Sequence, residues 1–366
     1  MRMVIFGLTV TSSWGNGHAT LWRGLIRALA PLGWSISFFE RDTPYYAGAR
    51  DLDRLDGGDL VLYPDWEEIR RAAAVAIRQA DVVIITSYCP DAVEASRLAQ
   101  ESCRGLKVFY DLDTPVTLTR IEQGEHPDYF GPEGLRDFDL VLSFTGGPAL
   151  DALKSMLGAC HVVPLYGHVD PDRHRPAPPR QEFAGDLSYL GTYAADRQAA
   201  VEKLLVAPAA RMPDRRFIIG GAQYPQEFPW GDNIFFVRHL PPADHSAFFC
   251  SSRLTLNVTR EAMARKGWCP SGRLFEAAAC GAAIISDDWP GLDSFFDPGR
   301  EILLAHSTDD VIAALGLSDG ELGALRRHAR ERVLDEHTSA RRASELDRIL
   351  ADAARTPAGE VMKEAV

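Results

Sequence analysis

Apolar residues in the first half of the chain come in short unbroken runs. Between them lie stretches in which apolar positions recur every three or four residues. Unbroken runs are what strands covered on both faces require, and the intervening period is that of helices with one covered side. Met3–Val10, Trp34–Phe39, Asp59–Tyr63, Asp81–Thr86, Leu106–Asp111, Asp139–Ser143 and Cys160–Pro164 are the predicted strands. Thr20–Leu32 reads as a helix with Leu21, Leu25, Ile26 and Leu29 on one face, ended by Pro31 and Gly33. Further helices are predicted over Trp66–Gln79, from Pro90 and from Pro148. Strand, helix, strand, repeated, predicts a parallel, doubly wound α/β sheet.

The rhythm breaks over 166–186, where Pro171, Pro176, Pro178 and Pro179 stand among Asp170, Asp172 and basic residues, so a linker is expected there. It then resumes with strands Leu187–Tyr193, Arg216–Gly220, Asn233–Val237, Leu254–Val258, Ala283–Ser286 and Glu301–Leu304. The helices of this half are Asp196–Leu205, Pro241–Cys250, Ser271–Cys280, Thr308–Leu315, Asp319–Glu336 and Thr338–Ala354, and the tail from Thr356 is expected to fray. The predicted organisation is an acceptor-side Rossmann-like domain over 1–165, a linker over 166–186 and a second Rossmann-like domain over 187–337. A C-terminal helix and tail, 338–366, is expected to pack back towards the first domain. Two such domains facing a cleft place ligands at the carboxyl ends of their strands, which suits transfer of a group between two substrates.

A length of 366 residues agrees with two domains. Lys and Arg number 39 against 51 Asp and Glu, a net charge of −12, so a nucleic-acid partner held by charge is not expected, although a local basic patch could survive that balance. The six cysteines are scattered without zinc spacing and read as free thiols of a cytoplasmic protein. No run approaches the roughly 18 apolar residues of a membrane span, and Met3–Val10 is too short for a signal-peptide core.

Two clusters could carry chemistry. The first, Thr11–Thr20, leaves the first strand and opens a helix. Gly15, Asn16 and Gly17 offer backbone N–H groups to a polar ligand, and His18 stands where the helix begins, as a base or as a capping residue. Thr20 occupies the place of the third glycine of the dinucleotide fingerprint, so that motif is absent. The second cluster is Leu254–Asp288. Ser271 and Gly272 open a helix of small residues that Gly281 ends; their N–H groups suit a diphosphate, Arg273 adds charge, and Glu276 can accept from ribose hydroxyls or serve as a cap. Asp111-Leu112-Asp113, after a strand, is open to three readings: a metal site, a turn, or, with Thr114, an acceptor-side lining. His161, His168 and His174 read as solvated linker residues rather than metal ligands, and Asp287-Asp288-Trp289 as a donor contact or a turn.

Arg273–Asp287 resembles the donor-site helix of retaining GT-B glycosyltransferases. More narrowly, Leu190–Tyr193, Leu256–Arg260 and Pro270–Glu276, with Trp14–Thr20 and Phe39–Asp42, resemble the CgeB-like (spore-maturation-type) family of GT-B glycosyltransferases. The resemblance implies a GT-B fold and a nucleotide-diphosphate-sugar donor, UDP-sugar by default, with an acceptor it does not name. It places Gly191, Thr192, Arg260, Ser271, Gly272, Arg273 and Glu276 at the donor, with Glu276 on the ribose, and implies no metal or other cofactor. Trp268 stands where the broader family has a second glutamate, eight residues before Glu276, so the sugar contact must come from elsewhere. The alternatives are a sugar-nucleotide epimerase or hydrolase of the same fold, or a sugar-nucleotide-binding protein without catalysis.

Overall fold

The computed structural model of the protein describes residues 1–355, so the tail from Thr356 lies outside the described residues. Two compact units emerge, one of Met1–Tyr166 with the helix Ser339–Arg355, the other of Gly167–Thr338.

In the first unit all strands are parallel. β1 (Arg2–Gly7), β2 (Ser35–Arg41), β3 (Asp59–Tyr63), β4 (Val82–Thr86), β5 (Leu106–Asp111), β6 (Leu140–Ser143) and β7 (Val162–Pro164) lie in the order β3-β2-β1-β4-β5-β6-β7. Alternate side chains feed opposite faces. Met3, Ile5 and Phe38 enter one core, and Val4, Phe6 and Phe39 the other, which is why these strands have no polar side. The helix His18–Leu29 buries Leu21, Trp22, Leu25, Ile26 and Leu29 in the first core. Ser339–Arg355 closes that core with Ala343, Leu346, Ile349 and Leu350, while Trp34 Nε1 donates to Asp347 Oδ1 at 2.9 Å.

β1 stops at Gly7, short of the apolar run, because the backbone beyond it turns onto Glu40. Val10 N and Thr11 N donate to Glu40 Oε2 at 2.7 and 3.1 Å, and the Thr9 and Thr11 hydroxyls to Oε1 at 2.6 and 2.5 Å. A buried carboxylate at the end of β2 thus holds the first loop in place of a longer strand.

The second unit repeats the winding. β8 (Gly185–Leu190), β9 (Phe217–Gly221), β10 (Ile234–Arg238), β11 (Ser252–Asn257), β12 (Ile284–Ser286) and β13 (Leu303–Leu304) lie parallel in the order β10-β9-β8-β11-β12-β13. Both sheets therefore have the expected doubly wound, Rossmann-like order. The strand order reverses between β1 and β4 in one and between β8 and β11 in the other, the places where such sheets gather ligands.

Two expectations change. The helix read over Asp196–Leu205 continues to Arg211 and widens to a π turn over Glu202–Val206. Pro208, with no N–H to bond the preceding turn, stands two residues beyond that widening. The proline-rich stretch 166–186 is also no free linker from Gly167 on. Arg175 N donates to Ser246 Oγ at 3.4 Å, Ala177 N to Cys250 Sγ at 3.3 Å, and Arg180 Nη1 pairs with Asp244 Oδ1 at 2.7 Å. Prolines keep this stretch out of regular structure, but the N–H groups of Arg175 and Ala177 still find acceptors on the helix Pro242–Cys250. His168 and His174, expected in solvent, are accordingly buried, and His161 is half-buried.

Candidate active site

In the first unit the loop after β1 is built around small residues. Gly15 has φ +58°, and Asn16 is buried, its amide donating to Thr9 O at 3.2 Å and its Oδ1 accepting from His18 N at 3.0 Å. Gly15 and Gly17 are exposed, and a Cβ on Gly17 would meet nothing within 4 Å. The Asn16 contact sets where the helix begins and so where His18 points. His18 Nε2 lies 3.3 Å from Asp113 Oδ2, and both side chains are 18% exposed. Asp113 comes from the turn after β5, so residues 95 positions apart in the chain meet at the carboxyl end of one sheet.

The other two residues of that turn face inward. Thr114 Oγ1 is 2.8 Å from Ser143 Oγ and donates to Asp111 O at 3.2 Å. Asp111 is fully buried, its Oδ1 accepting from Asp113 N at 3.1 Å and its Oδ2 without a hydrogen-bond partner among the described residues. Burial pushes its carboxyl up to about 6. Of the three residues read as an acceptor-side lining, only Asp113 is partly open.

In the second unit the loops after β8 and β9 press together. Gly191 N donates to Gly220 O at 2.9 Å, Tyr193 N to Ala222 O at 2.9 Å, and Tyr224 Oη to Gly191 O at 3.2 Å. Gly221 sits at φ +156°, and a Cβ there would come within 2.0 Å of Gly191 O. Thr192 O accepts from Arg197 Nη2 at 2.8 Å. Arg260, at the loop after β11, pairs with Asp196 Oδ2 at 3.0 Å. Asp287, after β12, accepts from Thr259 N and Oγ1 at 3.0 Å and ties the β11 and β12 loops together; burial pushes its carboxyl up to about 6.

The helix Gly272–Ala279 begins as predicted, with Ser271 Oγ accepting from Arg273 N at 3.3 Å. Trp268, in the place of the missing glutamate, has φ +44° and stacks over Gly291, where a Cβ would lie 2.6 Å from its ring. It is packed into its own loop. Glu276 is engaged on both oxygens. Arg273 Nη1 donates to Oε2, His245 Nδ1 is 3.5 Å from Oε2, and His174 Nε2 is 3.8 Å from Oε1. Burial pushes the Glu276 carboxyl up, but Arg273 and the two histidines outweigh it and hold it well below the usual carboxylate range. Burial, with Arg273 adding to it, pushes His245 down to about 4, and burial lowers His174 as well. A ribose contact at Glu276 therefore requires Arg273 to share or leave the carboxylate. His245 belongs to no motif, and His174 lies among prolines; only the tertiary structure unites them with Glu276.

The glycosyl-transferase-like family model matches residues 197–348, most of the second unit. No curated protein matches the chain. Among solved structures, sucrose-phosphate synthase from Thermosynechococcus elongatus superposes with a TM-score of 0.68 at 14% identity, covering 96% of this chain and 98% of that one. HepE of Anabaena in complex with UDP-glucose gives 0.66 at 11% identity, covering 96% and 100%. An alpha-glucosyltransferase in complex with UDP-glucose and DNA gives 0.68 at 12% identity, covering 96% and 99%. The fold is that of the GT-B glycosyltransferases. The DNA complex corrects one expectation: an acidic balance argues against a nucleic-acid partner, yet an alpha-glucosyltransferase similar to 96% of this chain is in complex with DNA. Net charge averages over a surface, whereas a ligand meets one patch of it. Among the described residues no helix is long and apolar enough to cross a membrane.

Proposed function

We propose that the protein is a glycosyltransferase that takes its sugar from a nucleoside-diphosphate donor, with UDP as the nucleotide. One observation carries the reading. The segment matched by the glycosyl-transferase-like family contains a helix N-terminus bearing Ser271, Gly272 and Arg273 in a doubly wound unit. The N–H groups of that terminus and the Arg273 guanidinium supply positive charge where a diphosphate leaves, without a metal bridging it. Gly191, tied to the β9 loop through both its N–H and its carbonyl, holds Thr192 at the switch point after β8, and Arg260 adds a second guanidinium once it exchanges Asp196 for phosphate. The UDP-glucose complexes of two similar structures support the choice of nucleotide. The narrower spore-maturation-type affinity rests on Leu190–Tyr193, Leu256–Arg260 and Pro270–Glu276.

In the first unit, the His18–Asp113 pair is the base. An acceptor hydroxyl gives its proton to the pair as its oxygen attacks the anomeric carbon, the bond to the diphosphate breaks, and Asp113 balances the imidazolium charge. A single displacement of this kind inverts the anomeric centre, whereas the donor-helix resemblance points to retention. The proximity of His18 and Asp113 supports inversion, and NMR of the product anomer decides it. Calorimetric titration with UDP, GDP, ADP and TDP, followed by product analysis with the matching sugar nucleotides, tests the whole reading. Saturable binding of one diphosphate, weakened by Arg273→Ala, is expected; binding of none removes it.

A further inference from the structure

We propose that His174, His245 and Glu276 form a binding site for one divalent transition-metal cation, with zinc the best match to its ligands. The three side chains come from the loop before β8, the helix Pro242–Cys250 and the helix Gly272–Ala279, and they are 6%, 3% and 7% exposed. His174 Nε2 lies 3.5 Å from His245 Nδ1 and 3.8 Å from Glu276 Oε1, and His245 Nδ1 lies 3.5 Å from Glu276 Oε2. A tetrahedral zinc with bonds of about 2.0–2.1 Å separates its ligand atoms by about 3.3–3.4 Å. The two imidazole nitrogens stand near that spacing and one carboxylate oxygen lies within 4.8 Å of both, so a cation needs a rotation of the carboxylate and small shifts of the rings. Two imidazoles and one carboxylate are the ligand chemistry zinc accepts, and magnesium and calcium, which prefer oxygen shells, are poorly served.

The polar balance of the cluster agrees. His174 Nε2 has only long contacts, 3.5 Å to His245 and 3.8 Å to Glu276, so this buried nitrogen is poorly satisfied without a further ligand. The cation that now meets the carboxylate is Arg273, whose Nη1 also lies 3.2 Å from His245 Nδ1. Its side chain is 32% exposed, against 7% for Glu276, so it has a way out and the ligands do not. A metal would take its place, pin the loop carrying His174 to the two helices, and free the guanidinium at the helix N-terminus. The site stands on these three ligands alone and does not depend on the glycosyltransferase reading.

The test uses the full chain, freed of metal by a chelator and titrated calorimetrically with Zn²⁺, with Co²⁺ as a spectroscopic probe. One Zn²⁺ per chain and the visible spectrum of tetrahedral cobalt with nitrogen and oxygen ligands are expected. His174→Gln and His245→Gln should each weaken Zn²⁺ binding by about tenfold or more. Arg273→Met removes the competing cation and should tighten binding by about tenfold, a gain that misfolding does not mimic. Substoichiometric binding, a thiolate–cobalt spectrum, or an affinity indifferent to His174→Gln and His245→Gln overturns the site. Should the histidine variants fail to fold, unchanged affinity in Arg273→Met overturns it as well. Nucleotide titration of the metal-free chain reads the donor site separately, so failure of one proposal is distinguishable from failure of the other.

Discussion

Asp111 and Asp113 stand two residues apart, and the structure gives them opposite roles. Asp113 turns to His18, while Asp111 is sealed under the turn with one oxygen unpartnered. If the His18–Asp113 pair moves the proton, His18→Ala and Asp113→Asn should each lower kcat by at least about tenfold with little change in donor affinity. Wild-type kcat at saturating donor and acceptor in either variant would falsify the role. Asp111 makes a claim about pH instead. Its folded-state pKa, about 6, lies above the ordinary 3.8, so the folded chain holds a proton that the unfolded chain releases between those values. Its contribution is intact below pH 3.8 and is lost as pH rises through about 6. Asp111→Asn should therefore gain stability over wild type as pH rises from 4 to 7, by at most about 3 kcal/mol from a shift of roughly two units. Urea unfolding at several pH values measures this, and a difference independent of pH counts against a carboxyl whose burial outweighs its hydrogen bonds.

At the scale of elements, two glycines separate packing from ligand approach. Gly221, where β9 ends, has no room for a side chain against the backbone of the β8 loop. Gly221→Ala should cost about 1–3 kcal/mol and weaken nucleotide binding with it, since the Gly191 loop must move. Gly272 begins its helix in open space, and a Cβ there touches nothing within 4 Å. Gly272→Ala should leave the melting temperature unchanged or slightly raised, because alanine suits a helix. Its effect should appear in nucleotide affinity alone, as the methyl meets a diphosphate approaching the helix N-terminus. Equal affinity in wild type and Gly272→Ala, by titration, would remove that terminus from the donor site.

At the scale of the molecule, the last described helix belongs with the first strands. Ser339–Arg355 buries Leu346 and Leu350 in the same core as Met3 and Leu25. Leu346→Ala should destabilise the first unit by about 2–5 kcal/mol, the cost of a buried leucine truncation, and lower its calorimetric transition. Nucleotide affinity, a property of the second unit, should hardly move. A joint fall of both would mean that the two cores unfold and bind as one.

Periodicity alone made most of the strands and helices legible. The unbroken apolar run in Asp81–Thr86 announces a doubly covered strand, and the Ser271 cap announces its helix, because both signals are local. The sequence also singled out His18, Asp113, Arg273 and Glu276 as chemical residues. It did not show which of them meet. That Asp113 pairs with His18 while Asp111 is buried depends on the turn after β5. That Glu276 faces His174, His245 and Arg273 depends on a loop and two helices packed together, with the histidines 71 positions apart. Such contacts are set by long-range packing, which leaves no period in the chain. The stretch 166–186 shows the same limit: prolines report the absence of regular structure, and only the neighbouring helix decides whether an irregular stretch is free or packed. Local patterns determined the elements and the type of chemistry, and tertiary packing decided which residues share a site.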